Sequence, residues 1–188
     1  MRDQVISKIP EAAVSEVPSS KGFGDAANKV ETLVEGAAFY LFLADDTLVA
    51  SDAVTLLVDE ALESNAGILG PKVLDWNDPT RIVSMGCLVD AFGVETPFVE
   101  LGELAQQQHD RVREAFAVTG EAVLVRCDLF RTIGGFDAQI ASGEEYLDLC
   151  WRAQIAGGRV LVVPNATVLS KSAIVGGPSE HLLSLIHI

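Results

Sequence analysis

Cysteine is scarce in this 188-residue chain: there are three, Cys87, Cys127 and Cys150, and no two are close in sequence. Without a C-x-x-C pair the sequence offers neither a zinc knuckle nor a disulfide framework, and a reducing compartment fits best. Basic residues are few, 13 against 27 acidic, for a net charge of −14. That balance opposes a phosphate-backbone footprint, so nucleic acid is not an expected partner, and it repels an anionic lipid surface. Long apolar runs are missing too. The longest, Ala37 to Ala44, is too short to span a bilayer, and Arg2, Asp3 and Gln4 break any secretory-type stretch at the start. The three histidines, His109, His181 and His187, have no ligand spacing.

What is present suits a single globular domain. Hydrophobic residues make up 49% and charged residues 21%, and a chain of this length buries a core without staples. Val5, Ile6 and Ile9 read as the end of an amphipathic helix stopped by Pro10, and Ala12 to Val17 as a short strand. A turn at Lys21–Gly24 leads into a helix carrying Ala27, Val30, Leu33 and Val34, closed by Gly36. Ala38 to Leu43 reads as a strand buried on both faces. A helix capped by Ser51 or Asp52 follows, with Val54, Leu57, Val58, Ala61 and Leu62 on one face. Strands are expected at Ile68–Leu74, Arg81–Val89, Ala115–Val118, Ala122–Val125 and Arg159–Val163, the last stopped by Pro164. Residues 90–110 read as a polar excursion. Helices are expected at Asp128–Ile133 and Glu144–Ala156, the latter with Leu147, Cys150, Trp151 and Ile155 on one face. The alternation predicts an α/β domain with a mixed, mostly parallel sheet flanked by helices. In such sheets ligands sit at the carboxyl ends of strands.

Three segments could carry chemistry. Asp45 and Asp46 stand where the apolar strand meets solvent. Hard oxygens there suit Mg²⁺ or Mn²⁺ shared with a diphosphate, or they simply cap the next helix. Gly22 to Asn28 is a small-residue turn entering a helix, open to close ligand approach or purely structural. Gly134 to Arg152 gathers Asp137, Glu144, Glu145 and Asp148 around one loop and helix start. One of these carboxylates could serve as a general base, though acids also favour a first helical turn on dipole grounds. Phe136 and Trp151 are more usual as core than as substrate platforms.

In order, the motifs are G-F-G-x-A-A-N (Gly22–Asn28), an apolar strand ending in acids plus Thr (Leu41–Thr47), G-P-K (Gly70–Lys72) and G-x-x-x-L-V-R (Gly120–Arg126). Then come I-G-G-F-D (Ile133–Asp137), E-x-x-D-L-C-W-R (Glu145–Arg152) and G-x-R-V-x-x-V-P (Gly158–Pro164). This series resembles the family 2 glycosyltransferases of GT-A fold over roughly residues 5–170. Its spacing is similar to that of the large envelope-polysaccharide transferases of actinobacteria. The resemblance implies inverting transfer of a sugar from a nucleotide-diphosphate sugar to an acceptor hydroxyl of a glycan or lipid-linked acceptor, in cell-envelope polysaccharide synthesis. It implies a divalent ion, Mg²⁺ or Mn²⁺, at Asp46 and Asp45; a base at Glu145 or Glu144; donor contacts at Gly22, Gly24, Asn28 and Asp45; and acceptor contacts at Asp137 and Trp151.

There are departures from the family pattern. The first carboxylate of D-x-D is replaced by Ala44, the usual Asp base by Tyr146, and the His that often assists the metal by Ser170, with Lys171 beside it. Tyrosine is a poor base near neutral pH. These changes keep open a non-catalytic GT-A domain serving as a binding or structural module. A nucleotidyltransferase lacks support, because no basic glycine-rich phosphate loop is present. Nothing before Pro10 supplies the family's strand–helix–strand that binds base and ribose. The expectation is therefore a fragment, residues 1–175 forming a partial domain whose sheet has an unpaired edge. Residues 176–188 form a tail, of which 183–188 (LSLIHI) reads as a translated sequencing adapter. The parent enzyme is expected in the cytoplasm at the inner face of the plasma membrane, with membrane contact only through segments outside this sequence.

Overall fold

The computed structural model describes residues 23–140 and 143–171, and the backbone of 183–187. The expected helix end at Val5–Ile9, the strand at Ala12–Val17 and the glycine at Gly22 lie outside the described residues.

The apolar run after Gly36 forms β1 (Phe39–Ala44), buried along its whole length. Its alternation feeds two cores. Phe39, Leu41 and Leu43 pack on one side with Ala53, Leu57 and Ala61. Tyr40 and Phe42 pack on the other with Phe130, Phe136, Leu149 and Cys150. Ala53, Leu57 and Ala61 recur at helical spacing, so α3 (Ala53–Ser64) lays one stripe on the sheet. It ends where Asn65 takes a left-handed conformation, φ 54°. The helix expected around Ala27–Val34 is two short pieces, α1 (Phe23–Ala27) and α2 (Val30–Leu33).

After β2 (Thr47–Val49) and α3 come β3 (Ile68–Asp75) and β4 (Arg81–Ser84), then a separate hairpin of β5 (Cys87–Val89) and β6 (Glu95–Pro97). Short strands β7 (Glu103–Leu104) and β8 (Arg113–Glu114) precede β9 (Ala122–Arg126). Helices α4 (Cys127–Thr132) and α5 (Glu145–Ile155) cover the Tyr40/Phe42 face, and β10 (Val160–Ser170) returns through the sheet. The excursion over 90–110 is tied back by Asp110, whose carboxylate lies 2.9 Å from the buried Lys72 ammonium of β3.

The main sheet runs β11–β1–β9–β3–β10–β2, where β11 is Leu183–His187. The α/β class and mixed sheet are as expected, but the balance of strand directions is corrected. β3 and β10 are parallel, whereas β1–β9, β3–β9 and β10–β2 are antiparallel. β9 enters after the 76–121 excursion rather than after a helical crossover, so it runs back against both neighbours. Pro164 does not stop the last strand. β10 continues to Ser170, with a register shift between Val163 and Thr167 opposite Pro71 and Lys72. The irregularity absorbs both prolines, which cannot donate to a regular ladder.

On the side where a bare edge is expected, β1 itself is covered and β11 is the outermost strand. β11 (Leu183–His187) pairs antiparallel with β1, from Tyr40↔His187 to Ala44↔Leu183. The apolar segment set apart as an adapter supplies partners for the N–H and C=O groups of β1 that would otherwise face water.

Candidate active site

The carboxyl ends of β1, β3 and β10 lie along one edge of the sheet, and the start of antiparallel β9 joins them. Asp45 and Asp46 turn off β1, Asp45 exposed and Asp46 half-buried. Thr47 then opens β2 directly opposite Ser170, the last residue of β10. The Lys171 N–H donates to the Asp46 carbonyl at 3.3 Å, and the Trp76 N–H to the Ser170 carbonyl at 3.0 Å. Asp46 and Ser170, the two positions implicated in metal binding, are thus joined through backbone across 124 residues of sequence.

Ser170 is 1% exposed, and neither its hydroxyl oxygen nor that of Thr47 has a hydrogen-bond partner. Buried polar atoms left in this way are costly unless something fills the role. Among the described residues no three His, Cys, Asp or Glu side chains converge to hold an ion. The donor set at this edge is a carboxylate plus two hydroxyls, all hard oxygens. It fits an ion of the Mg²⁺ type, which takes one or two protein carboxylates and draws other ligands from phosphates and water. Asp75 on β3 is committed elsewhere: its Oδ1 accepts the N–H groups of Asn77 and Asp78, at 2.7 and 2.8 Å.

The helix start at α5 behaves differently from a simple base site. Glu144 is exposed. Glu145 is 6% exposed, and its Oε2 accepts the Gly143 N–H at 2.6 Å. The Tyr146 ring stacks at 5.2 Å from Phe136 and 5.4 Å from Phe23, and lies across Gly120, where a Cβ would come within 2.5 Å of it. Burial above all, then the charges of Glu145 and Glu121, hold the phenol well above its usual range. Tyr146, where the family resemblance expects the base, is therefore a neutral member of an aromatic cluster.

Glu121 is the residue the sequence reading passed over. The Ala44 N–H donates to its carbonyl at 3.1 Å, and its Oε2 is buried without a hydrogen-bond partner. Its backbone meets position 44, and its carboxylate acts on the Tyr146 phenol. A signal existed: Glu121 is the only charged residue between Glu114 and Arg126.

Gly24 and Asn28 pack against the second glycine motif. The Asn28 Nδ2 donates to the Phe136 carbonyl and its Oδ1 accepts the Phe136 N–H, both at 2.8 Å. At Gly135, φ is +69° and a Cβ would meet Asn28 Oδ1 at 2.3 Å, so only glycine fits. A Cβ on Gly24 would stand 3.2 Å from the Asp137 carbonyl. From the other side Arg152 donates to the carbonyls of Ile133 (2.8 Å) and Gly135 (2.7 Å) while its Nε bonds Asp148 at 2.8 Å. Two motifs far apart in sequence therefore clamp the loop of a third, at whose end Asp137 is exposed. Of the stripe expected on α5, Cys150 is buried and Leu147 partly so, but Trp151 is 56% exposed and Ile155 72%, and Leu149 and Ala153 complete the buried face. Asp137 and Trp151 are both open to solvent, whereas Asn28 spends its amide on protein.

A family model described as glycosyl transferase family group 2 matches residues 41–176. Among solved structures the chain is similar to a crystal structure of GalNAc-T7 with UDP, GalNAc and Mn2+. The two are 14% identical with a TM-score of 0.69, over 95% of this chain and 36% of that one. The likeness is one of fold, GT-A, and this chain spans about a third of the neighbour's length. No curated protein matches the chain.

Proposed function

The chain belongs to glycosyl transferase family group 2, and from that premise we propose that it is part of an inverting, metal-dependent enzyme. It moves a sugar from a nucleotide-diphosphate donor to a hydroxyl of an envelope glycan or lipid-linked acceptor. The observation that carries this reading is the meeting of Asp46 with Ser170 at the carboxyl edge of the sheet.

Asp46 is the principal metal residue and Asp45 the second, with the Ser170 hydroxyl in the place of the family's histidine. When bound, Mg²⁺ or Mn²⁺ neutralises the charge that develops on the departing diphosphate. Gly22, Gly24 and Asp45 lie on the donor side in this reading. Asn28 acts on the donor only through the loop it clamps. Glu145 takes the proton of the acceptor hydroxyl as that oxygen bonds to the anomeric carbon, with Glu144 as its substitute. Asp137 and Trp151, both exposed, meet the acceptor. The donor's place is the cytoplasmic face of the membrane, a reading supported by three free thiols. No described helix is long and apolar enough to cross a membrane.

A second reading keeps the fold without turnover. It is favoured by Tyr146, whose ring fills the base position and packs as core. Calorimetric titration of nucleoside diphosphates separates the two. The enzyme reading expects binding to tighten with Mn²⁺ and that gain to vanish in Asp46→Ala. Equal affinity with and without metal supports the non-catalytic domain.

A further inference from the structure

We propose that Lys171, poised on the face of Trp76, is the cationic contact for the donor's diphosphate; this rests on the transferase reading above. Lys171 follows Ser170 directly, and its own N–H donates to the Asp46 carbonyl. Its ammonium lies 4.4 Å from the centre of the Trp76 ring. Trp76 in turn is bonded through its N–H to the Ser170 carbonyl. Two backbone bonds therefore fix the chain at Lys171 beside Asp46 and Ser170, while its side chain rests on one ring.

The electrostatic setting makes the placement informative. The edge carries Asp45, Asp46, Asp75 and Glu121, on a chain of net charge −14. With carboxylates so plentiful, an exposed lysine would be expected on one of them. Among the described residues Lys171 instead makes no ion pair and rests on an indole. An exposed cation–π contact is weak and readily exchanged. A phosphate oxygen is a much stronger partner for an ammonium group. The arrangement holds a mobile point charge next to where an anion must sit, without neutralising it beforehand.

In the transfer step the bond between the anomeric carbon and the diphosphate oxygen breaks, and its electron pair stays on that oxygen. The new bond forms from the acceptor oxygen, whose proton passes to a carboxylate. Lys171 donates a hydrogen bond to the departing diphosphate and keeps its own proton. Trp76 is the resting place of its ammonium and reports when it leaves.

The test uses the whole chain with Trp151→Phe, which leaves Trp76 as the only tryptophan, and inorganic pyrophosphate as the probe. Titration with and without Mn²⁺ is followed by tryptophan emission. The expected result is a saturable change, weakened about tenfold or more by Lys171→Met, as loss of a charged hydrogen bond implies, and largely retained in Lys171→Arg. Unchanged affinity in Lys171→Met overturns the proposal. If Asp46→Asn still removes the Mn²⁺ gain in that case, the transferase reading survives. Binding that needs Lys171 but is indifferent to Mn²⁺ and to Asp46 supports the lysine contact and contradicts the metal-dependent reading. No saturable change in any arm overturns both.

Discussion

Replacing Asn28 by alanine tests the claim that the two glycine motifs form one clamped unit. The side-chain amide makes two reciprocal bonds to the backbone of Phe136, 2.8 Å each, and Phe136 is 2% exposed. Alanine deletes both bonds and leaves a backbone donor and acceptor without partners in a closed environment. Each such loss costs about 1–2 kcal/mol at a part-buried site, so Asn28→Ala should destabilise by about 2–4 kcal/mol. For a domain of this size that lowers Tm by roughly 4–16 °C, a large share of a typical stability of about 5–15 kcal/mol. Asn28→Asp keeps the acceptor for the Phe136 N–H but sets a carboxylate against the Phe136 carbonyl, so most of the loss should remain. Urea denaturation measures both variants, with Thr32→Ala as reference, since that hydroxyl makes only an exposed bond to the Lys29 carbonyl. A loss below about 0.5 kcal/mol in Asn28→Ala, the range of ordinary surface substitutions, would refute the clamp.

Gly120→Ala should cost about 1–3 kcal/mol by overpacking against the Tyr146 ring. Adding Tyr146→Leu should recover much of that, and denaturant unfolding of the double variant checks the coupling. The raised phenols of Tyr146 and Tyr40 mean the fold prefers them neutral. That contribution is intact below the unfolded value near pH 10 and is lost as pH climbs above it. Absorbance titration at 295 nm should therefore show less tyrosinate at pH 10 in the folded chain than in the unfolded chain, and stability should fall beyond it. Burial pushes Cys150 up to about 12 and also raises Cys127 and Cys87. Ellman's reagent should leave Cys150 and Cys127 unmodified until unfolding, with only the partly exposed Cys87 reacting slowly.

Elements set by local pattern were legible in the sequence. The apolar run of β1 and the helical spacing of α3 are short-range signals; β1 is buried as expected, and of the expected α3 stripe Leu57 and Ala61 are buried, whereas Leu62 is exposed and Ala53 joins the buried face. Features set by distant partners were not. The family resemblance makes Asn28 a donor contact, but its side chain bonds Phe136, 108 residues away. Arg152 gave no hint that it would hold the Ile133 and Gly135 carbonyls. Pro164 looked like a stop because the bulge that accommodates it depends on Pro71 across the ladder. Trp151 was placed inward by spacing alone. The helix turns its small residues Cys150 and Ala153 to the sheet, and the indole stays outside. In the site, Asp45–Asp46 was legible as a strand-end pair. Ser170 gained meaning only when β10 was seen to finish opposite Thr47.

The central claim is that Asp46, with Ser170 beside it, forms the metal-assisted diphosphate site of a glycosyl transferase. Calorimetry of nucleoside diphosphates against the chain and its Asp46→Ala variant, with and without Mn²⁺, tests it most directly. The account predicts at least about tenfold tighter binding with metal, the scale of one charged interaction, and no metal effect in the variant. Affinity that is equal with and without Mn²⁺, or a metal effect that survives Asp46→Ala, would contradict it.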